Sequence, residues 1–278
     1  MKYLTPILTT VIISGQVVAQ TELSVQSTAR PAGLDIVAPV MQAGSDAQSA
    51  QFQADVLPSM LDFIDTNLGE SQSVSNVSSI ALDPSKLYLA NDAAVRVYFI
   101  GEGAGYHNTL GFNTEGPSIS SGDPLLIFPD ASSIDSYYTY GDQNAWRSNS
   151  APLMPGDFVD LGVLEAGTQL DFFLIANGAN GGSNVWSTDS SVNADGLIHT
   201  VSLVEEGSPY LLIGFEDLYG GGDKDYNDLL FAVDIGAANV SYLANPEPST
   251  WLIMGLFAAG VFYIARRQQP ELAEARVG

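Results

Sequence analysis

Cysteine is absent from the 278 residues, which excludes disulfides, zinc-thiolate centres and thiol catalysis in one step. Basic residues are scarce: nine Lys and Arg stand against 32 Asp and Glu, for a formal net charge of −23. Between residues 20 and 245 the imbalance sharpens to 29 acids, five bases and a net charge of −24. Such an excess repels phosphate backbones and anionic membrane surfaces, so nucleic acid is not an expected partner, while cations are attracted. Histidine is nearly missing too. His107 sits in a Gly-rich turn and His199 starts a strand, neither with a carboxylate in sequence register to indicate a triad. No serine stands in a nucleophile-elbow pattern. The glycines at 101, 103 and 105 lack the spacing and basic residue of a phosphate loop and precede no helix. Paired acids can hydrolyse glycosides, but among 29 acids such pairs arise by chance. The expectation is a protein without enzymatic activity.

What is present begins at the two ends. Lys2, a largely apolar stretch over 3–18, and Val17 and Ala19 at the −3 and −1 positions before Gln20 form the layout of a signal peptide, residues 1–19. Near the other end, Pro246-Glu247-Pro248 precedes an uncharged run over 251–265, closed by Arg266-Arg267. The run is at the lower edge of the roughly 20 apolar residues a transmembrane helix needs. The arginines extend it by snorkelling, and Trp251 suits the opposite interface. Positive charge marks the cytoplasmic side. Residues 246–267 are therefore expected to anchor the chain in the inner membrane, with 268–278 as a cytoplasmic tail and everything before Pro246 outside.

These residues resemble the PEP-CTERM sorting signals of Gram-negative bacteria, in which a Pro-Glu-Pro motif, a short apolar helix and a basic cluster follow one another. The resemblance implies recognition by an exosortase-type sorting enzyme, cleavage near the motif, and delivery to the cell surface or extracellular matrix. Tails of that family stop soon after the basic cluster, whereas 268–278 continues here.

Between the signals, 20–51 is rich in Ala, Gln, Ser and Pro and reads as a flexible lead-in. Phe52, Val56, Met60, Ile64 and Leu68 then recur every fourth residue, with Leu57 and Leu61 beside them, the stripe of an amphipathic helix that tolerates Pro58 only near its start. A polar linker, 71–79, completes the 20–79 segment. From residue 80 the pattern turns to strands. Runs at 95–100, 124–128, 158–164, 170–176, 199–204, 210–215 and 229–235 are β-branched or aromatic and bounded by turn residues. Their number and spacing predict a mainly β domain over 80–240, a β-sandwich or jelly roll. The Asn/Gly/Ser-rich stretch 177–196 reads as a long loop.

The densest chemistry lies between the last two strands. Glu216 and Asp217, three glycines (220–222), then Asp223, Asp225, Asn227 and Asp228 offer five carboxylates and an amide within 13 residues. Calcium takes six to eight oxygen ligands, and D-x-D-x-N is the opening spacing of a calcium loop. The glycines supply the positive φ that a wrap around an ion requires. The glycine and distal Glu of an EF-hand are missing, and strands rather than helices flank the loop. An acidic hairpin held by side-chain turns is the plainer alternative. Packed carboxylates repel unless a cation neutralises them, and Lys224 alone is too little. Glu102 is a candidate extra ligand from a neighbouring strand.

Residues 215–228 look like the signature of the DUF4114 domain, a module of unknown function in bacterial surface proteins. The stretches 101–111 and 172–178 look like its upstream motif and an internal strand. The resemblance implies a β-sandwich-like module of exported proteins with no activity attached. A second reading is polysaccharide binding through Tyr137, Tyr138, Tyr140, Trp146 and Trp186, since aromatic faces stack on sugars. A third is a hydrolase of matrix polymers.

Overall fold

The computed structural model describes residues 24–69, 73, 82–83, 86–134, 147–204 and 207–244. The expected signal peptide (1–19), nearly all of the 71–79 linker, the aromatic segment 137–146 and the expected C-terminal sorting signal (246–267) lie outside the described residues. Among those described, no helix is long and apolar enough to cross a membrane.

Alternation and β-branching from residue 93 onward produce nine strands among the described residues: β1 Ala93–Gly101, β2 Thr109–Asn113, β3 Leu125–Phe128, β4 Phe158–Leu164, β5 Asp171–Ile175, β6 Val185–Ser187, β7 Thr200–Val204, β8 Tyr210–Phe215 and β9 Leu229–Asp234. They form two antiparallel sheets, ordered β4-β1-β9-β8-β7 and β3-β2-β5-β6. The inward residues of both sheets share one core. Val95, Val97 and Phe99 of β1 meet Phe172 and Leu174 of β5 and Phe215 and Phe231 of β8 and β9, with Phe172 edge-on to Phe231 at 5.1 Å.

β1 is apolar on both faces because the outer face of its sheet is also covered. Tyr98, Ile100, Leu212, Leu230 and Ala232 form a second cluster with Phe52, Leu57, Leu61, Ile64 and Leu68. Phe52 opens a π-helical turn (Phe52–Val56) that continues helix α1 (Ala47–Gln51), Leu57, Leu61 and Ile64 belong to helix α2 (Leu57–Asn67), and Leu68 is the C-cap of α2. Asp46 caps α1 by accepting from the Ser49 amide at 2.7 Å, satisfying one orphan donor of the first turn. The wide turn ends at Val56, two residues before Pro58, whose ring would otherwise press on the carbonyl four residues back. It also inserts a residue, so the buried stripe steps from Phe52 to Leu57, Leu61, Ile64 and Leu68, and Val56 and Met60 fall to the rim.

The lead-in is not loose over 24–46. Val25 and Val40 enter the main core. Asp35 and Val37 bond to Leu126 on β3 at 2.8 and 2.9 Å, and Met41 exchanges both backbone bonds with Phe158 on β4. β3 and β4 are edge strands, so the lead-in covers an open edge of each sheet, satisfying backbone groups that composition alone does not account for. Three further elements depart from the expected map, the first being β2, which none of the expected strand runs covers. β6 is a short strand inside the stretch read as a loop, and helix α3 (Ala237–Ala244) follows β9, sinking Val240 and Leu243 into the core. The domain therefore continues through residue 244.

Candidate metal centre at one end of the sandwich

Antiparallel topology brings the ends of β1, β3, β5 and β8 and the starts of β2, β7 and β9 to one end of the molecule. The acidic residues singled out above collect there. Glu216 follows β8 directly and is fully buried. Its Oε1 accepts from the Tyr226 amide at 2.9 Å, while Oε2 has no hydrogen-bond partner among the described residues. A Cβ on Gly222 would collide with that oxygen, so only glycine lets the carboxylate tuck under the loop. One oxygen each from Glu216, Asp223 and Asp225 lies within 4.8 Å of the others. Burial pushes the Glu216 carboxyl up to about 7; the Tyr226 amide opposes this, and the charges of Asp225 and Asp223 add to it.

Gly220, Gly221 and Gly222 all have positive φ, as the wrap requires, and so do Lys224 (65°) and Tyr226 (57°). Those two left-handed residues break the simple alternation read from D-x-D-x-N. The six residues grouped by spacing separate as a result. Glu216, Asp223 and Asp225 converge. Asn227 braces the loop: its Nδ2 donates to the Leu68 carbonyl at 3.2 Å and its backbone carbonyl accepts from the Gly103 amide at 3.0 Å, tying the loop to the end of α2.

Asp217 and Asp228 form a different group. The Asp217 amide donates to Asp228 Oδ2 at 2.8 Å, and Asp217 Oδ2 accepts from Asn108 Nδ2 at 2.7 Å. Burial, then the charge of Asp217, pushes Asp228 up to about 8, and burial raises Asp217 as well. Consecutive residues of an extended segment point to opposite sides, and so Glu216 and Asp217 serve separate centres. Glu102 lies apart from the loop; burial pushes its carboxyl up to about 7, the Ser133 amide opposes this, and the charges of Asp130 and Asp217 add to it.

Sequence reasoning missed the wall behind the loop. Trp186 is fully buried and lies flat on the His199 ring, 3.9 Å between centroids and 2° between planes. Its Nε1 donates to the Asp217 carbonyl at 2.7 Å. His199 Nδ1 faces the Glu216 carbonyl at 3.1 Å and Nε2 faces Asp195 Oδ2 at 3.0 Å. Burial alone would raise Asp195; bonds from the Gly220 amide, His199 and the Leu197 amide outweigh it and hold the group at about 2. His199 thus has a carboxylate four residues before it, where none was recognised, and Trp186 is core rather than a sugar platform. An i−4 acid before a strand is the one sequence signal that was there to be read.

Residues 164–236 match the family described as "Domain of unknown function (DUF4114)". The matched span runs from the last residue of β4 past the end of β9 and contains the whole acidic loop; the stretch 101–111 lies outside it. No curated protein and no solved structure matches the chain.

Proposed function

We propose that this is an exported, non-enzymatic protein of the cell surface or extracellular matrix, with a β domain stabilised by calcium bound to Glu216, Asp223 and Asp225. One observation carries the reading: a fully buried carboxylate leaves an oxygen without a hydrogen bond and shares its surroundings with two further carboxylates. A buried, unpaired carboxylate oxygen is costly, and a cation removes the cost and the mutual repulsion together. Oxygen-only donors with no sulfur favour a hard cation, and irregular loop geometry suits calcium better than magnesium. With no disulfide to brace it, an exported domain gains most from such a clamp.

The test is differential scanning calorimetry of the full chain with calcium and with EDTA. A ligand at about a hundred times its Kd adds about 2.7 kcal/mol, which for a domain of this size raises Tm by about 5–10 °C. Asp225→Asn should remove most of the rise. An unchanged Tm in both buffers ends the calcium reading.

The destination rests on the terminal signals. The mature protein should lack 1–19, and exosortase-type processing should remove the chain beyond the Pro246-Glu247-Pro248 motif, both readable by intact mass of the secreted form. Retention of the full-length mass in the inner membrane would argue for a permanent anchor instead. The polysaccharide-binding alternative loses one of its supports, because Trp186 is enclosed in the core.

A further inference from the structure

Without cysteine no disulfide can lock this chain after folding, but another pair of oxidisable side chains meets across it. Tyr88 lies in the segment that leads into β1, and Tyr242 lies in the last turn of α3. They are 154 residues apart in the chain, yet their hydroxyls share a hydrogen bond of 2.6 Å. The ring centroids are 5.7 Å apart, with the planes at 64°. Two phenols laid end to end through their hydroxyls would hold their centroids much farther apart. The rings are therefore folded toward each other about the shared bond, which turns an ortho carbon of each toward its neighbour.

Both backbones are held in place independently of the rings. Asn239, one turn before Tyr242, accepts from the Asn91 amide at 2.8 Å and donates to the Asn91 carbonyl at 3.1 Å. Leu87 and Leu89, on either side of Tyr88, lie in the main core with Val240 and Leu243 of α3. The Leu87 carbonyl accepts from the Leu170 amide at 2.6 Å, and the Leu89 amide donates to the Thr168 carbonyl at 3.0 Å. Neighbouring groups fixed in this way react far faster than free ones. Tyr88 and Tyr242 are themselves only half-buried, so electrons can leave them at the surface. The pair sits where β1 begins and β9 ends, at the opposite end of the sandwich from the acidic loop.

We propose that Tyr88 and Tyr242 form an intramolecular dityrosine cross-link when the chain meets a one-electron oxidant, a peroxidase with hydrogen peroxide. Each phenol gives up one electron and its hydroxyl proton to become a phenoxyl radical. The two radicals couple through one ortho carbon each, forming a carbon–carbon bond. The hydrogen on each joined carbon then moves to the phenoxyl oxygen and restores both aromatic rings. The protein loses two hydrogens in all, and these reduce one hydrogen peroxide to two waters. The product closes all nine described strands into one covalent loop, from the segment before β1 to the helix after β9. A link across so much chain restricts the unfolded ensemble as a disulfide would. It requires neither the bound calcium nor the processing of the terminal signals.

The test is peroxidase and hydrogen peroxide added to the purified full chain at low concentration. The monomeric fraction should gain dityrosine fluorescence, lose the mass of two hydrogens, and yield on digestion a peptide that joins Tyr88 to Tyr242. Its Tm should rise by about 10 °C over the untreated chain. Tyr88→Phe and Tyr242→Phe each keep the ring but remove the hydroxyl that the radical needs. Either should abolish the joined peptide and most of the monomer fluorescence, and if one does not fold the other decides. Tyr219→Phe, which alters the most exposed of the described tyrosines at 67 %, should leave both readouts unchanged. Dityrosine that is missing, confined to dimers, or still formed in the monomer of both Phe variants overturns the proposal and leaves the pair a hydrogen-bonded packing contact. A linked monomer that melts with the untreated chain overturns the bracing role.

Discussion

Two residues in the acidic loop hold conformations that their side chains disfavour. Lys224 and Tyr226 are both left-handed, a region costing non-glycine residues about 1 kcal/mol each. Tyr226 is compensated, since it is buried and its amide binds Glu216. Lys224 is exposed and has only its backbone geometry at stake. Lys224→Asn should therefore leave chemical-denaturation stability within about 0.5 kcal/mol, whereas the β-branched Lys224→Val should lose about 1–2 kcal/mol. Protonation is the second residue-scale consequence. Without metal, Glu216 and Glu102 titrate near 7 and Asp228 near 8, each above its value in the unfolded chain. The folded state then binds more protons than the unfolded one between those limits, and stability falls as pH rises through them. In EDTA, Tm should decline from about pH 4.5 to about pH 8. Calcium prefers the ionised carboxylates, so its stabilising increment should grow over the same window and vanish on acidification. A Tm in EDTA that is flat across that range would contradict the buried state of these groups.

At the scale of elements, the helical layer and the sheet are joined through Arg96. Its fork donates to Asp160 on β4 at 2.6 and 3.0 Å, it reaches the α1 cap Asp46 at 2.9 Å, and its guanidinium lies 4.0 Å over the Phe158 ring. Arg96→Ala should cost about 2–3 kcal/mol in denaturant titrations, and Arg96→Lys should not recover it, because an ammonium cannot span two carboxylates and stack on a ring. A comparable constraint sits in β2, where the Phe173 ring occupies the space a Cβ on Gly111 would need. Gly111→Ala should destabilise by about 1–3 kcal/mol, and Phe173→Leu in the same chain should recover part of the loss. This pairing explains why β2 escaped the sequence pattern. Its Gly-containing TLGFN reads as a turn until the cross-strand ring is known. β6 was hidden by its three-residue length, and the lead-in by a composition that says nothing of the sheet edges it covers.

At the scale of the whole molecule, antiparallel connectivity concentrates nearly all the candidate chemistry at one end. Glu102, Asn108, Asp130, Asp195 and the 216–228 loop are spread over more than a hundred residues and meet because strand ends on both sheets face the same way. Local signals were enough for much of this protein. Runs of β-branched and aromatic residues located seven of the nine described strands, and the absence of cysteine with the excess of acid pointed to oxygen donors. The glycine triplet marked where the chain would turn left-handed. Each of these depends on neighbours in the chain, which the sequence carries directly. Tertiary structure alone decided which acids share a centre, that Asn227 braces α2, that Trp186 is a buried wall on His199, and that Glu102 accepts from the Ser133 amide. Those outcomes turn on backbone angles at Lys224 and Tyr226 and on contacts between strands far apart in the chain, and no local pattern encodes the distance between two side chains that meet only after the sheets have closed.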